Sequence, residues 1–190
     1  MTEYQLNKIS YYFKAIMEVM EIDLTDPNFI DTPQRVAKTY NELFKGLSPD
    51  ADKEMEQILS TTFPCNYNEM IVSKNLQSWT MCPHHFLPVK LKVNIAYIPD
   101  TKVLGLSKMP RIVNILAARP CLQERLTLDI VNKISEILQP KGVIVRIAGE
   151  HLCMQIRGVR SMDSEVITTA FLGYFENSVS RAEFFEAIKS

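Results

Sequence analysis

This chain has no excess of either charge: 21 Lys and Arg stand against 22 Asp and Glu, giving a formal net charge of −1. The cations are scattered and form no basic stripe, which argues against nucleic acid or a membrane surface as the main partner and leaves an anionic small molecule open. Long apolar runs are also missing, and none approaches the ~20 residues of a membrane span. The opening residues, Met1 to Leu6, have neither a basic n-region nor an apolar h-region. Cysteine is sparse, and Cys65, Cys82, Cys121 and Cys153 are too few for a disulfide framework in a chain of this length. Together these absences predict a cytoplasmic protein with reduced thiols. There is no internal repeat, linker or low-complexity stretch, and no Walker-type phosphate loop. A chain of 190 residues, 46% hydrophobic, needs no metal staple to hold a core. Any metal would serve chemistry.

Hydrophobic spacing predicts helices over residues 4–20, from Asp31-Thr32-Pro33 to Gly46 with Thr32 as cap, and over residues 50–60. The period then shortens. Met70 to Ser73 and Gln77 to Met81 read as short strands, and residues 88–98 as a long one with Val89, Leu91, Val93, Ile95 and Tyr97 on a buried face. Cys82 to Pro88 lies between strands and is expected to be a loop. Ser107 is the natural cap of a helix carrying Met109, Ile112, Val113 and Leu116, and a longer helix runs from Leu122 to Leu138. Further strands are expected from Val143, with His151 to Ile156 continuing extended, and over Val166 to Phe175; Ser180 can cap a last helix burying Phe184, Phe185 and Ile188. This order predicts an α+β fold with a largely antiparallel sheet.

All three histidines stand beside cysteines, in Cys82-Pro83-His84-His85 and His151-Leu152-Cys153. Taken singly, each reads as a small buried hydrophobe or a satisfied core histidine. Their clustering favours a divided zinc site, since zinc takes thiolate and imidazole ligands and a catalytic site keeps one position open. Cys82-x-x-His85 lets two side chains converge from one tight loop, and Cys153 can add a third from a strand alongside. Gly105-Leu106-Ser107-Lys108-x-x-Arg111 sets two cations at a helix N-terminus, which suits a phosphate as well as it suits a capped helix with solvated charges. Glu124, in Gln123-Glu124-Arg125, is either an ordinary first-turn acid or an acceptor for the paired N–H groups of a guanine. Arg157-Gly158-Val159-Arg160 is either a turn or added cationic reach.

These blocks, with Asp31-Thr32-Pro33-x-Arg35-Val36-Ala37-Lys38, Gln123-Glu124-Arg125-Leu126-Thr127 and His151-x-Cys153-Met154-x-x-Arg157-Gly158-Val159, resemble GTP cyclohydrolase I in order and spacing. The resemblance implies the tunnelling fold, with helices on one face of the sheet, active sites between neighbouring subunits and a toroidal homodecamer. Residues 1–60 would form an N-terminal helical region and 61–190 the catalytic unit. The resemblance further implies zinc on Cys82, His85 and Cys153, with a bound water attacking C8 of GTP. Ring opening with loss of formate, rearrangement and reclosure would give 7,8-dihydroneopterin triphosphate. His84 and His151 become proton carriers. Glu124, helped by Gln123, would hold guanine, and Ser107, Lys108, Arg111 and Arg157 the triphosphate.

Three residues depart from the family pattern: Pro83, where many members have Glu, Pro110 and Cys121. Pro83 and Cys121 motivate one alternative, a diverged paralogue acting on another purine or pterin; a further alternative is a non-catalytic nucleotide-binding oligomer. Retention of both His84 and His151 argues against the second.

Overall fold

The computed structural model describes residues 1–189. Helix α1 (Glu3–Val19) begins at a reciprocal cap in which the Thr2 hydroxyl accepts from the Gln5 N–H and the Gln5 side-chain oxygen accepts from the Thr2 N–H. It packs on α2 (Thr32–Leu43), and α3 (Pro49–Leu59) follows after a 3-10 turn over Lys45–Leu47. Asp31, not Thr32, occupies the cap position of α2; it makes no capping bond and instead pairs with Arg35 one turn on. Helix α1 leaves much of its apolar surface uncovered. Met17 is buried, while Tyr12, Ile16 and Val19, which lie together on another face of the helix, remain exposed.

The centre is an antiparallel sheet of β2 (Ile71–Met81), β3 (Pro88–Ile98), β5 (Gly142–His151) and β6 (Val166–Gly173), in the order β2-β3-β5-β6. Alternation decides what each face carries. Val89, Leu91, Val93, Ile95 and Tyr97 of β3, with Val143, Val145 and Ile147 of β5, point to one face. That face is covered by α4 (Lys108–Ala117) and α5 (Gln123–Leu138), whose Ile112, Val113, Leu126, Ile130 and Ile134 lie fully buried against it. Helix α4 runs along β2, where the Ser78 hydroxyl donates to Asn114 Oδ1 and the Thr80 hydroxyl to the Arg119 carbonyl. Every buried side-chain polar atom among the described residues is partnered.

The two short strands expected before the loop are one continuous β2. Asn75, at φ 59°, absorbs a bulge between Ser73 and Leu76, and its N–H donates to Asn94 Oδ1. A three-residue strand β1 (Thr62–Pro64) pairs with β4 (Lys102–Leu104) in a small separate sheet. A one-turn helix α6 (Leu152–Gln155) follows β5, so the chain does not continue extended after His151. Helix α7 (Ser178–Lys189) covers one end of the second face, adding to the expected helices on the first: Phe184 and Phe175 pack there with Ala96, Ile98 and Ile144. Asn177, not Ser180, accepts the first free N–H of that helix, from Val179.

The 3-10 turn approaches the end of α4 closely, since the Gly46 N–H donates to the Ala118 carbonyl at 2.9 Å. A Cβ at position 46 would lie 2.5 and 2.7 Å from the carbonyl oxygens of Ile115 and Ala118, which are backbone atoms and cannot swing aside. Gly46→Ala is therefore expected to lower stability by about 1–3 kcal/mol, the usual cost of overpacking. Thermal unfolding checks this, and an unchanged melting temperature would contradict it.

Candidate active site

The loop between β2 and β3 is closed by two backbone bonds, Cys82 N–H to the Leu87 carbonyl and Phe86 N–H to the Cys82 carbonyl, both 2.9 Å. Phe86 takes φ 52° to complete the turn, and its ring packs edge-on against Phe44 at 5.7 Å. Cys82 is thereby buried, while His84 and His85 stay exposed with ring centroids 6.3 Å apart. Antiparallel pairing of β3 with β5 sets Val89 opposite His151, so the end of β5 arrives beside this loop. Helix α6 then turns Cys153 back toward it.

One donor atom from each of Cys82, His85 and Cys153 lies within 4.8 Å of the others. Cys82 Sγ and His85 Nδ1 are 3.7 Å apart. Tetrahedral zinc with Zn–S of ~2.3 Å and Zn–N of ~2.0 Å requires about 3.5 Å across that edge, so the residues fit the ion. Burial raises the Cys153 thiol above its ordinary range, and the neighbouring Cys82 raises it further. A divalent cation between the two sulfurs removes that penalty, because thiolate is the form that binds metal.

His151 Nε2 lies 2.9 Å from Gln123 Oε1, at the first turn of α5. Burial pushes the His151 ring to a lower pKa, and the Glu124 carboxylate acts in the opposite direction. Glu124 is exposed at the same helix start. The Gln123 side chain, 3% exposed, has its amide fully engaged: Nε2 donates to the Val166 carbonyl at 2.8 Å and to Thr168 Oγ1 at 3.1 Å. The amide expected to help hold a base is thus spent inside the fold, on the histidine and on β6. Arg157 follows α6 and is exposed, and its charge favours the Cys153 thiolate.

The remaining cations lie elsewhere in the subunit. Ser107 is the N-terminal flank of α4 and makes no capping bond through its hydroxyl; Lys108 and Arg111 fall in the first turn. The opposite end of α4 is the one that meets the metal loop, through Thr80 with Arg119 and through Cys121 N–H with the Met81 carbonyl. Leu104, just before Ser107, donates to the Tyr97 hydroxyl at the far end of β3. A ten-residue helix, about 15 Å long at 1.5 Å per residue, therefore separates this cationic group from Cys82 within one chain.

The family model of GTP cyclohydrolase I matches residues 9–189. The chain belongs to that family. It is 40% identical over 169 residues to GTP cyclohydrolase 1 of Clostridium perfringens (strain ATCC 13124), covering 89% of each chain. It is also 40% identical over 192 residues to GTP cyclohydrolase 1 of Geobacillus kaustophilus (strain HTA426), covering 100% of both. Among solved structures, the archaeosine synthase QueF-Like in its apo form aligns with 55% of this chain and 93% of its own, at a TM-score of 0.45 and 22% identity.

Cys82, His85 and Cys153 are the zinc cluster typical of GTP cyclohydrolase I. Two thiolates balance the dication, and three protein ligands leave a fourth position open. The purified protein is expected to carry one zinc per chain. Loss of an outer-shell partner alone weakens metal binding about 10- to 100-fold, so Cys153→Ala, which removes a ligand, is expected to weaken it more than about 100-fold in a chelator competition. Unchanged zinc affinity in that variant would remove Cys153 from the centre.

Proposed function

We propose that this protein is an active GTP cyclohydrolase I that converts GTP and water to formate and 7,8-dihydroneopterin triphosphate. The observation that carries this reading is the meeting of three zinc-type ligands with two further histidines, one exposed beside the metal loop and one held at the start of α5. Zinc held by Cys82, His85 and Cys153 would supply a polarised water at C8 of the purine.

The protein's own groups do the rest. Glu124, exposed beside His151, accepts the paired N–H groups of guanine and thereby sets the base in register. His151 exchanges protons with the purine nitrogens, and His84, exposed on the loop, serves the ribose side. Arg157 meets the phosphates from the metal side.

Ser107, Lys108 and Arg111 bind the same triphosphate, but from a second copy of the chain. Two features support this division: the length of α4 between those residues and Cys82, and the apolar flank of α1 that a single chain leaves bare, with Val19 84% exposed. A closed ring of subunits, the homodecamer that the family resemblance implies, satisfies both requirements.

Zinc-loaded protein is expected to release formate from GTP and yield a fluorescent pterin after oxidation; metal-replete protein that gives neither would sink the proposal. His151→Ala is expected to retain zinc and lose about 100-fold or more in kcat, the usual share of a proton-transfer group. Shared sites predict complementation. Lys108→Ala and Cys153→Ala, each inactive alone, should regain activity when unfolded together and co-refolded, because about a quarter of randomly mixed sites receive both intact halves. No recovery in mixed oligomers would place both halves of the site in one subunit.

A further inference from the structure

The reaction needs to know which nitrogen of His151 meets the substrate, and the surroundings of Gln123 answer this. The Gln123 amide could in principle be turned either way round, but its neighbours permit one orientation. The Thr127 hydroxyl donates to the Gln123 backbone carbonyl at 2.8 Å, which uses its hydrogen. Thr168, 2.7 Å from Thr127 Oγ1, must therefore donate to Thr127. That leaves the Thr168 oxygen to accept from Gln123 Nε2 at 3.1 Å. The Val166 carbonyl at 2.8 Å accepts the second hydrogen of the same nitrogen, and the Ile147 carbonyl at 3.3 Å shares in it; a carbonyl can only accept. Reversing the amide would set its oxygen against two carbonyl oxygens in a buried place, the cost of an unsatisfied buried polar group twice over. The oxygen of Gln123 thus faces His151 Nε2, and an acceptor there requires a hydrogen on that nitrogen.

Gly149 makes room for this arrangement. It lies two residues before His151 on the same face of β5, and a methyl group there would overlap the Gln123 Oε1 and come within 3.3 Å of His151 Nε2. The Gln123 amide is the nearest group to that position, and the Gly149 backbone does not require positive φ. The space above residue 149 is filled by the glutamine amide.

The geometry points to Gln123 as a positioning residue that fixes the His151 tautomer, so that Nε2 keeps its hydrogen throughout and every proton exchanged with substrate passes through Nδ1. Nδ1 has no hydrogen-bond partner among the described residues. A proton taken up at Nδ1 gives a ring with two N–H groups, and its delivery to a purine nitrogen restores the Nε2–H form, so the ring ends as it began. The substrate named here rests on the proposed function; the tautomer does not.

The chain has three histidines, so 15N-histidine labelling gives three pairs of ring signals, with His151 assigned by its loss in His151→Asn. In zinc-loaded wild-type protein at mildly alkaline pH, long-range 1H–15N correlation is expected to show His151 protonated at Nε2 and bare at Nδ1. The opposite tautomer would overturn the inference with no variant needed. Gln123→Met keeps the length and removes the acceptor, while Gly149→Ala keeps the glutamine and displaces its amide. Both should lose the single-tautomer pattern and drop kcat about 10- to 100-fold. The KM for GTP should move less than about threefold, because an orienting group acts on the chemical step and not on binding. A residue that merely ties α5 to β6 would leave the tautomer unchanged, and that result would contradict the proposal. Wild-type protein that shows the Nε2–H form but does not turn over GTP would sink the proposed function and leave the tautomer assignment standing.

Discussion

The pairing of Val89 with His151 is the contact on which the site depends. Strand β3 leaves the metal loop at Pro88 and β5 delivers its last residue at His151, so their antiparallel register places both halves of the zinc cluster at one end of the sheet. Side chains alternate along a strand, and a slip of one residue would turn His151 away from α5 and carry Cys153 out of reach. Register is held by burial. Leu91, Val93, Val143, Val145 and Ile147 are all fully buried on the helix-covered face, and a slip would expose every one of them.

The same alternation joins the metal centre to the polar network behind it. Gly149 and His151 share the face of Ile147, so the first turn of α5 lies over them and Gln123 reaches both the histidine and β6. The network is anchored within a core of fully buried side chains, which holds the ring in one orientation at little entropic cost. The groups proposed to face the substrate differ in kind. His84, Glu124, Arg157, Ser107 and Arg111 are exposed and Lys108 is half-buried, so each is open to a ligand or a neighbouring subunit.

Much of this was legible in the chain. Cys82 and His85 are local neighbours, and the strict alternation of residues 89–97 announced the strand that carries the loop. The sequence points to Cys153 as a ligand on an extended segment over residues 151–156, whereas the close turn of α6 depends on contacts with β3 that the local pattern does not contain. Strand β1 is invisible to the pattern, because three residues ending in Pro64 give no period to read. The separation of Ser107 from Cys82 is a tertiary distance, invisible to spacing. The inward role of Gln123 did leave a signal: Gln123, Leu126, Thr127 and Ile130 fall on one face of α5, and polar residues on an apolar face imply partners waiting beneath it.

X-ray absorption spectroscopy of the zinc-loaded protein tests the centre most directly. The account predicts two sulfur neighbours at ~2.3 Å, one imidazole nitrogen and one light oxygen donor at about 2.0–2.1 Å, a four-coordinate ion with an exchangeable position. A spectrum with no sulfur, or with four protein ligands and no exchangeable oxygen, would contradict it.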